Sequence, residues 1–149
     1  MTIPYQPVEM APIPERPILD QLESLDYILR PLNENDATER YANWVNDPEV
    51  NEFTQARYTP QTVNTVLEFI KSYDNRSRFL WGIFPKDEPS LHIGNHTLQV
   101  WWRHRTARLG IMIGDKSFWG RDWANLSFWK NSFPMSYIFF NFIFLGLLF

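Results

Sequence analysis

The sequence of 149 residues contains no cysteine, which excludes disulfides, thiolate nucleophiles and cysteine metal sites. It also lacks a strong charge of either sign, because 14 basic and 17 acidic residues leave a formal net charge of -3. This balance provides no basic field that would recruit nucleic acid or an anionic membrane surface. The N-terminus has no basic start followed by an apolar run, so a secretory signal is not indicated. We therefore expect a cytoplasmic protein.

The chain also lacks internal repeats, and its length suits one compact domain rather than two. Proline is distributed unevenly, since five of the eleven prolines lie between Pro4 and Pro17. That density favours an extended conformation and opposes helices and central strands. Composition therefore predicts a proline-rich leader at residues 1–24, a folded region at 25–126 and an apolar, aromatic tail at 127–149.

The folded region begins with the pattern of one strand and two helices. Residues 27–30 predict a short strand, and Asn33, three residues before Asp36, is suited to cap the helix that follows. Pro48 ends that helix, because the residue before a proline avoids helical backbone angles. Thr59, as cap, and Pro60 then predict the start of a second helix. Its apolar face recurs at helical spacing and consists of Val63, Val66, Leu67 and Ile70.

Three strand patterns complete the folded region. Residues 79–84 are densely apolar and end at a proline-rich turn, after which residues 92–101 form the next pattern. A polar turn then leads into residues 109–113. This order predicts an α/β fold with a mixed, mainly antiparallel sheet and flanking helices.

Four segments in this order carry a family resemblance. They are residues 29–32 (LRPL), 44–50 (WVNDPEV), 93–95 (IGN) and 109–121, where LGIMIGDK is followed by WGR. Together they resemble the RimJ/RimL-type branch of the GNAT family of N-acetyltransferases, over residues 27 to about 124. The resemblance implies an enzyme that transfers an acetyl group from acetyl-CoA to a primary amine. By likeness to that branch, the acceptor is a protein N-terminus or an amino sugar.

The resemblance also assigns residues to acetyl-CoA. A strand that splays from its neighbour leaves backbone N–H and C=O groups unpaired, and in the family the pantetheine arm supplies their partners. Ile111, Met112 and Ile113 correspond to that strand, with the oxyanion donor near Met112 and Ile113. A turn at the next helix N-terminus cradles the pyrophosphate with backbone amides. It corresponds here to Trp119, Gly120, Arg121, Asp122, Trp123 and Ala124.

Two positions depart from the family pattern: Trp119 at the first position, which this branch often tolerates, and Asp122, which stands where a glycine is usual and matters more. A carboxylate about 4 Å from a phosphate charge is repelled by about 1 kcal/mol in water and about 4 kcal/mol at a partly buried site. We therefore expect weakened cofactor affinity and impaired or absent activity in this chain.

The sequence after Leu126 resembles nothing in the family, and residues 131–149 carry no charge. The resemblance therefore implies a truncated domain whose fifth strand is missing and whose fourth strand has a bare edge. Three interpretations of the tail stay open: a transmembrane segment, a buried segment, or an out-of-frame continuation, which is favoured. The alternative to an enzyme is a non-catalytic remnant, membrane-associated through residues 133–149.

Two residues bear on proton transfer. Glu52, in the loop between the helices, is the candidate catalytic carboxylate and would act on the amine through a water molecule. A solvated loop carboxylate is the competing interpretation. The general-acid tyrosine of many family members has no counterpart, because Tyr137 lies in the unrelated tail.

Two further patterns receive structural interpretations. Strand alternation places His92 and His96 on one face with Asn95 opposite, and no metal site is expected from them. Residues 101–108 interleave aromatic and basic side chains, which suits a charged hairpin better than a site for single-stranded nucleic acid.

Overall fold

The computed structural model describes residues 21–121 and the backbone of residues 143–148. These residues form a six-stranded sheet whose strands follow one another in sequence order. Neighbours pair antiparallel up to the fifth strand, and the sixth pairs parallel with the fifth. The predicted α/β fold with a mainly antiparallel sheet is confirmed. The strands are β1 (Leu22–Glu23), β2 (Tyr27–Pro31), β3 (Arg78–Pro85), β4 (Gly94–Trp101), β5 (Thr106–Ile113) and β6 (Ile143–Leu148).

The first predicted helix is present but begins later than expected. Asn33 caps a short 3-10 turn at Glu34–Asp36, whereas Thr38 caps helix α1 (Glu39–Asn46). Pro48 ends α1 as predicted and also opens helix α2 (Pro48–Asn51), where its missing N–H costs nothing at the first helical position.

The second predicted helix, α3 (Val63–Lys71), likewise begins later than expected. Its cap is Thr62 rather than Thr59. The side chains of Thr62 and Thr65 each accept the other's backbone N–H, an arrangement that satisfies two orphan donors at once. Thr59 instead ends the 3-10 turn at Gln55–Tyr58.

The sheet has a buried core on each face. On one face, α1 and α3 pack on β3 through a cluster that includes Tyr41, Trp44, Val66, Leu80 and Phe84. The other face holds a second cluster, formed by strand residues such as Leu29, Trp81, Ile83, Leu98 and Leu109. Because strand side chains alternate, β3 contributes to both cores, with Leu80 and Phe84 on the helical face and Trp81 and Ile83 on the other.

β6 changes the expectation for the end of the chain. Its register pairs Ile143 with Thr106 and Leu148 with Gly110, so the first part of β5 has a parallel neighbour. The prediction of a bare edge is therefore wrong over this stretch. The strand could not be recognised from the sequence, because a segment that is apolar at nearly every position shows no alternation of apolar and polar residues. No helix in residues 21–121 or 143–148 is long and apolar enough to cross a membrane.

The last residues of the predicted leader belong to the sheet. Leu22 and Glu23 form β1 and pair with Leu29 and Ile28 of β2. Two residues are too few for alternation to reveal a strand. Residues 1–20 of the leader, and the parts of the tail at 127–142 and 149, lie outside the described residues.

Candidate active site

A cleft of about 720 Å³ opens on the helical face of the sheet. Its floor is formed by β4 and β5. Its walls are formed by side chains of α1 and α3 and by the segment that follows α2. The cleft is therefore built from elements that lie far apart in sequence.

Two rows of side chains cross the floor of the cleft, as the strand register shows. In the outer row, Gln99 of β4 lies between Arg78 of β3 and Arg108 of β5. In the inner row, four residues further along each strand, Asn95 lies opposite Met112. We call the outer row, Arg78, Gln99 and Arg108, the mouth of the cleft.

The inner end of the cleft consists of Tyr41, Asn95 and Met112. Asn95 is 3% exposed and Tyr41, from α1, is 1% exposed. Nε2 of His92 lies 2.8 Å from Oδ1 of Asn95, and the Asn95 side chain is also hydrogen-bonded to the Tyr41 hydroxyl. These bonds fix the orientation of both polar groups that face the cleft.

Burial determines the protonation states at the inner end. The rings of Tyr41, Trp44 and Phe84 have centroids between 4.8 and 5.3 Å from that of His92. Desolvation lowers the pKa of His92 to about 4 and raises the pKa of Tyr41 above its ordinary value. At neutral pH, His92 is uncharged and Tyr41 keeps its proton.

The two parts of β5 have different neighbours. Pairing with β6 ends three residues before β5 does, among the residues that the structure describes. Alternate residues of an antiparallel strand turn their N–H and C=O groups toward the partner, and Gly114 donates to Ile93 over 2.9 Å. Met112 therefore bonds toward β4, whereas the backbone groups of Ile111 and Ile113 face the opposite side. This side lies beyond the last β6 pair.

The segment after β5 is tied to α1 and α2. Gly114 packs so closely on Trp44 that a Cβ atom would lie 2.0 Å from the indole ring. Asp115 accepts a hydrogen bond from Arg40 of α1 at 2.6 Å. Lys116 pairs with two carboxylates at the start of α2, at 2.8 and 3.1 Å. These contacts hold the chain in place as it leaves the cleft.

The turn that follows combines a glycine with two large side chains. Gly120 has a φ of 78°, in the left-handed region that favours glycine. The indole N–H of Trp119 donates to the carbonyl of Ile113 over 2.9 Å, although 43% of the residue is exposed. The guanidinium of Arg121 lies 4.6 Å above the ring of Phe118. The turn therefore folds back onto the end of β5.

The acetyltransferase (GNAT) domain family matches residues 26–128, which is more than two thirds of the chain. This chain belongs to the GNAT acetyltransferase family. No curated protein sequence matches it.

Solved structures with this fold are similar to the chain. A GNAT-family acetyltransferase from Bacillus anthracis matches with a TM-score of 0.56 and 11% identity, over 70% of this chain and 59% of its own. Spermidine N-acetyltransferase from Vibrio cholerae, in complex with CoA and spermine, matches with 0.53 and 18%, over 66% and 56%. RimL, a ribosomal α-N-protein acetyltransferase in complex with coenzyme A, matches with 0.56 and 14%, over 68% and 59%. The chain thus spans less than two thirds of each relative's length.

Six of the nine residues expected to bind the cofactor lie at the end of β5 or in the turn after it. Of the residues assigned to acetyl-CoA, Ile111, Met112 and Ile113 form the end of β5, and Trp119, Gly120 and Arg121 form the turn after it. The other three, Asp122, Trp123 and Ala124, lie outside the described residues. The assignment of all nine to the cofactor remains a prediction.

The candidate carboxylate lies near the cleft but not in its lining. Glu52 follows α2 and is exposed, and its backbone carbonyl accepts a hydrogen bond from Arg57 over 2.7 Å. The next two residues, Phe53 and Thr54, do line the cleft. Its catalytic role remains a prediction.

The interpretation of the histidines needs correction. β4 begins at Gly94, so alternation does not extend to His92, which bonds to Asn95 rather than lying opposite it. His96 is fully buried within β4. Among residues 21–121, no three metal-ligating side chains form a group. The hairpin predicted over residues 101–108 is confirmed by the pairing of Trp101 with Thr106.

The sequence interpretation missed the residues that shape the cleft. The sequence patterns do not single out Tyr41, Arg78 or Gln99 as site residues. One signal was available, because Asn95, Thr97 and Gln99 place polar groups at every second position of β4. A polar strand face beneath helices indicates a cleft or a buried network.

Proposed function

We propose that this chain is an N-acetyltransferase of the RimJ/RimL-type branch that transfers an acetyl group from acetyl-CoA to a primary amine in the cleft. One observation carries the proposal: among the described residues, β5 continues past its last pair with β6, and there the N–H groups of Ile111 and Ile113 face away from β4, while the Ile113 carbonyl accepts the indole N–H of Trp119. Buried or bound backbone groups need partners, and an extended pantetheine arm supplies amides at strand spacing. The opening lies at the inner end of the cleft, where cofactor and amine would meet.

The reaction needs little from the protein beyond position and polarisation. The amine nitrogen attacks the thioester carbonyl, the new N–C bond forms, the C–S bond breaks, and the thiolate of CoA takes up a proton. An N–H of Ile111 or Ile113 would stabilise the oxyanion of the tetrahedral intermediate. Tyr41 and Asn95 would orient the amine, because both are fixed by hydrogen bonds at the inner end.

Two parts of the proposal concern groups at the edges of the site. Glu52 would accept the proton of the amine through a water molecule, since it lies one residue before the cleft lining. Residues 119–124 would hold the pyrophosphate, and the left-handed Gly120 supports a turn at residues 119–121 that presents backbone amides. The lack of cysteine supports a reducing compartment, and we propose the cytoplasm.

The acceptor classes proposed are a protein N-terminus and the amino group of a sugar. A non-catalytic remnant is not favoured as an alternative, because β6 covers the start of β5 and the cleft is present. The expected effect of Asp122 on affinity remains part of the proposal.

A matched pair of variants tests the cofactor site. Ile113→Pro removes the N–H that faces the open side, a change that an edge position tolerates. Ile113→Val keeps the N–H and serves as the control. We expect acetyl-CoA to raise the unfolding temperature of the wild type and of Ile113→Val, and to have much less effect on Ile113→Pro. An equal rise in all three would contradict the proposed site.

A further inference from the structure

The side chains that line the cleft carry positive charge but no negative charge. Among the residues that line it, Arg78 and Arg108 are cationic and none is acidic. Within the part of the chain that the structure describes, neither arginine has a carboxylate within salt-bridge distance. Two unneutralised guanidinium groups at one cleft are a reason to look for an anionic ligand.

The geometry of the mouth suits such a ligand. Arg78, Gln99 and Arg108 lie side by side on three neighbouring strands, so the two arginine Cα atoms are roughly 10 Å apart. Both side chains point to the helical face, and the Gln99 amide lies between them. An anion held there would receive hydrogen bonds from two guanidinium groups and one amide.

Arg78 is held in place before any ligand binds. Its guanidinium lies 4.6 Å above the ring of Tyr73, and Nη1 donates to the carbonyl of Ser72 over 3.2 Å. The carboxylate of Asp74 accepts the backbone N–H groups of Arg76, Ser77 and Arg78 at 2.8 to 2.9 Å, and among the described residues it forms no ion pair with the Arg78 guanidinium. Arg108 is exposed and lies 6.0 Å from the Trp101 ring, so it is free to meet a ligand at the surface.

We propose that the acceptor is an amine whose far end carries an anion, and that Arg78 and Arg108 bind this anion at the mouth. The inference rests on the proposed acetyltransferase function. Four residues of strand separate Arg108 from Met112, so the anion would lie about 13 Å or less from the site of transfer. A polyamine would instead bring positive charges against both arginines.

Calorimetric titration of the full chain tests this without requiring turnover. The probes are a short peptide with glutamates at its third and fourth positions, and its twin with glutamines there. We expect the wild type to bind the glutamate peptide about tenfold more tightly, as charge-assisted bonds to arginine predict. Arg108→Gln and Arg78→Gln should each remove most of this preference. Arg103→Gln, an equal change of charge at an exposed turn residue outside the lining, should retain it.

A second pair of probes, glucosamine 6-phosphate and glucosamine, identifies the source of the anion. A preference for the phosphate alone supports a sugar phosphate, and a preference for the glutamate peptide alone supports an acidic N-terminus. No preference in either pair overturns the inference, as does tighter binding of spermidine than of any anionic probe. Equal preference in wild type and both cleft variants overturns it too.

Acetyl-CoA binding is measured in the same proteins. If acetyl-CoA fails to bind while Arg108→Gln still loses the glutamate preference, the proposed function fails and the anion site stands. If acetyl-CoA binds and the preference is absent, the acetyltransferase stands and the anion site fails. Circular dichroism of Arg78→Gln checks that the loss of its contact with Tyr73 leaves the fold intact.

Discussion

The two ends of the cleft differ in burial and in charge. At the inner end, Tyr41 and Asn95 are almost fully buried, neutral and hydrogen-bonded to each other. At the mouth, Arg78 is half-buried, Arg108 is exposed, and both carry a full positive charge. β4 and β5 contribute to both ends at positions four residues apart, whereas Tyr41 comes from α1 and Arg78 from β3.

This difference indicates that the inner end and the mouth of the cleft have different roles. Buried neutral groups hold a fixed orientation, which suits the positioning of an amine beside a thioester. Exposed charges act over longer distances and tolerate movement, which suits the recognition of the rest of the acceptor. We therefore expect changes at the inner end to affect stability and turnover, and changes at the mouth to affect acceptor choice.

The largest expected effect concerns His92, which is hydrogen-bonded to Asn95 at the inner end. Its pKa is about 4 in the folded protein, against 6.5 for an ordinary histidine. The unfolded chain therefore binds the proton more strongly than the folded protein does. The free energy of unfolding is consequently unaffected by His92 above pH 6.5 and decreases as the pH falls toward 4. The loss is on the order of 3 kcal/mol. His96, also buried with a lowered pKa, acts in the same direction.

Urea unfolding across this pH range checks the prediction. His92→Gln keeps a side-chain N–H toward Asn95 but cannot titrate, so its stability should fall by about 3 kcal/mol less than that of the wild type. Arg108→Gln, at the mouth, should follow the wild-type curve. Parallel curves of stability against pH for the wild type and His92→Gln would show that protonation of His92 does not destabilise the folded protein.

A smaller effect is expected for Tyr41. Tyr41→Phe keeps the ring contact with His92 at 5.3 Å between centroids and removes only the hydroxyl. We expect kcat/KM for acetyl transfer to fall about tenfold, the equivalent of one lost hydrogen bond to a positioned group. Acetyl-CoA affinity should not change. An unchanged kcat/KM would mean that the inner end does not position the amine.

The smallest effect is expected for Trp119, at the boundary between the inner end and the cofactor turn. Its indole N–H occupies the Ile113 carbonyl, which a pantetheine amide would otherwise reach. Trp119→Phe should therefore bind acetyl-CoA about threefold more tightly, because the carbonyl no longer has an internal donor. Titration of the two proteins measures this. Weaker binding by the variant would indicate that the indole itself forms part of the cofactor site.

Much of the fold could be predicted from local patterns. The strands β2, β3 and β5 and the helices α1 and α3 follow from apolar periodicity, which depends on neighbouring residues alone. Helix starts were placed too early, because capping by Thr38 and Thr62 depends on side-chain bonds that periodicity does not reveal. β6 was missed because its sequence is apolar at nearly every position.

The site was less predictable than the fold. The end of β5 was assigned to the cofactor through a family resemblance, whereas the mouth arises from strand register. Arg78, Gln99 and Arg108 come from three strands and meet only when the sheet pairs. The polarity of Gln99 and its alternate neighbours was the sequence signal for a cleft, but it does not identify the arginines on either side.

Amide hydrogen exchange of the full chain, with and without acetyl-CoA, tests the central claim most directly. The N–H of Met112 already faces β4, whereas those of Ile111 and Ile113 face the open side of β5. We predict that acetyl-CoA slows exchange at Ile111 and Ile113 by about tenfold or more and leaves Met112 nearly unchanged. Unaltered exchange at both isoleucines under saturating acetyl-CoA would contradict the proposal that this strand binds the cofactor.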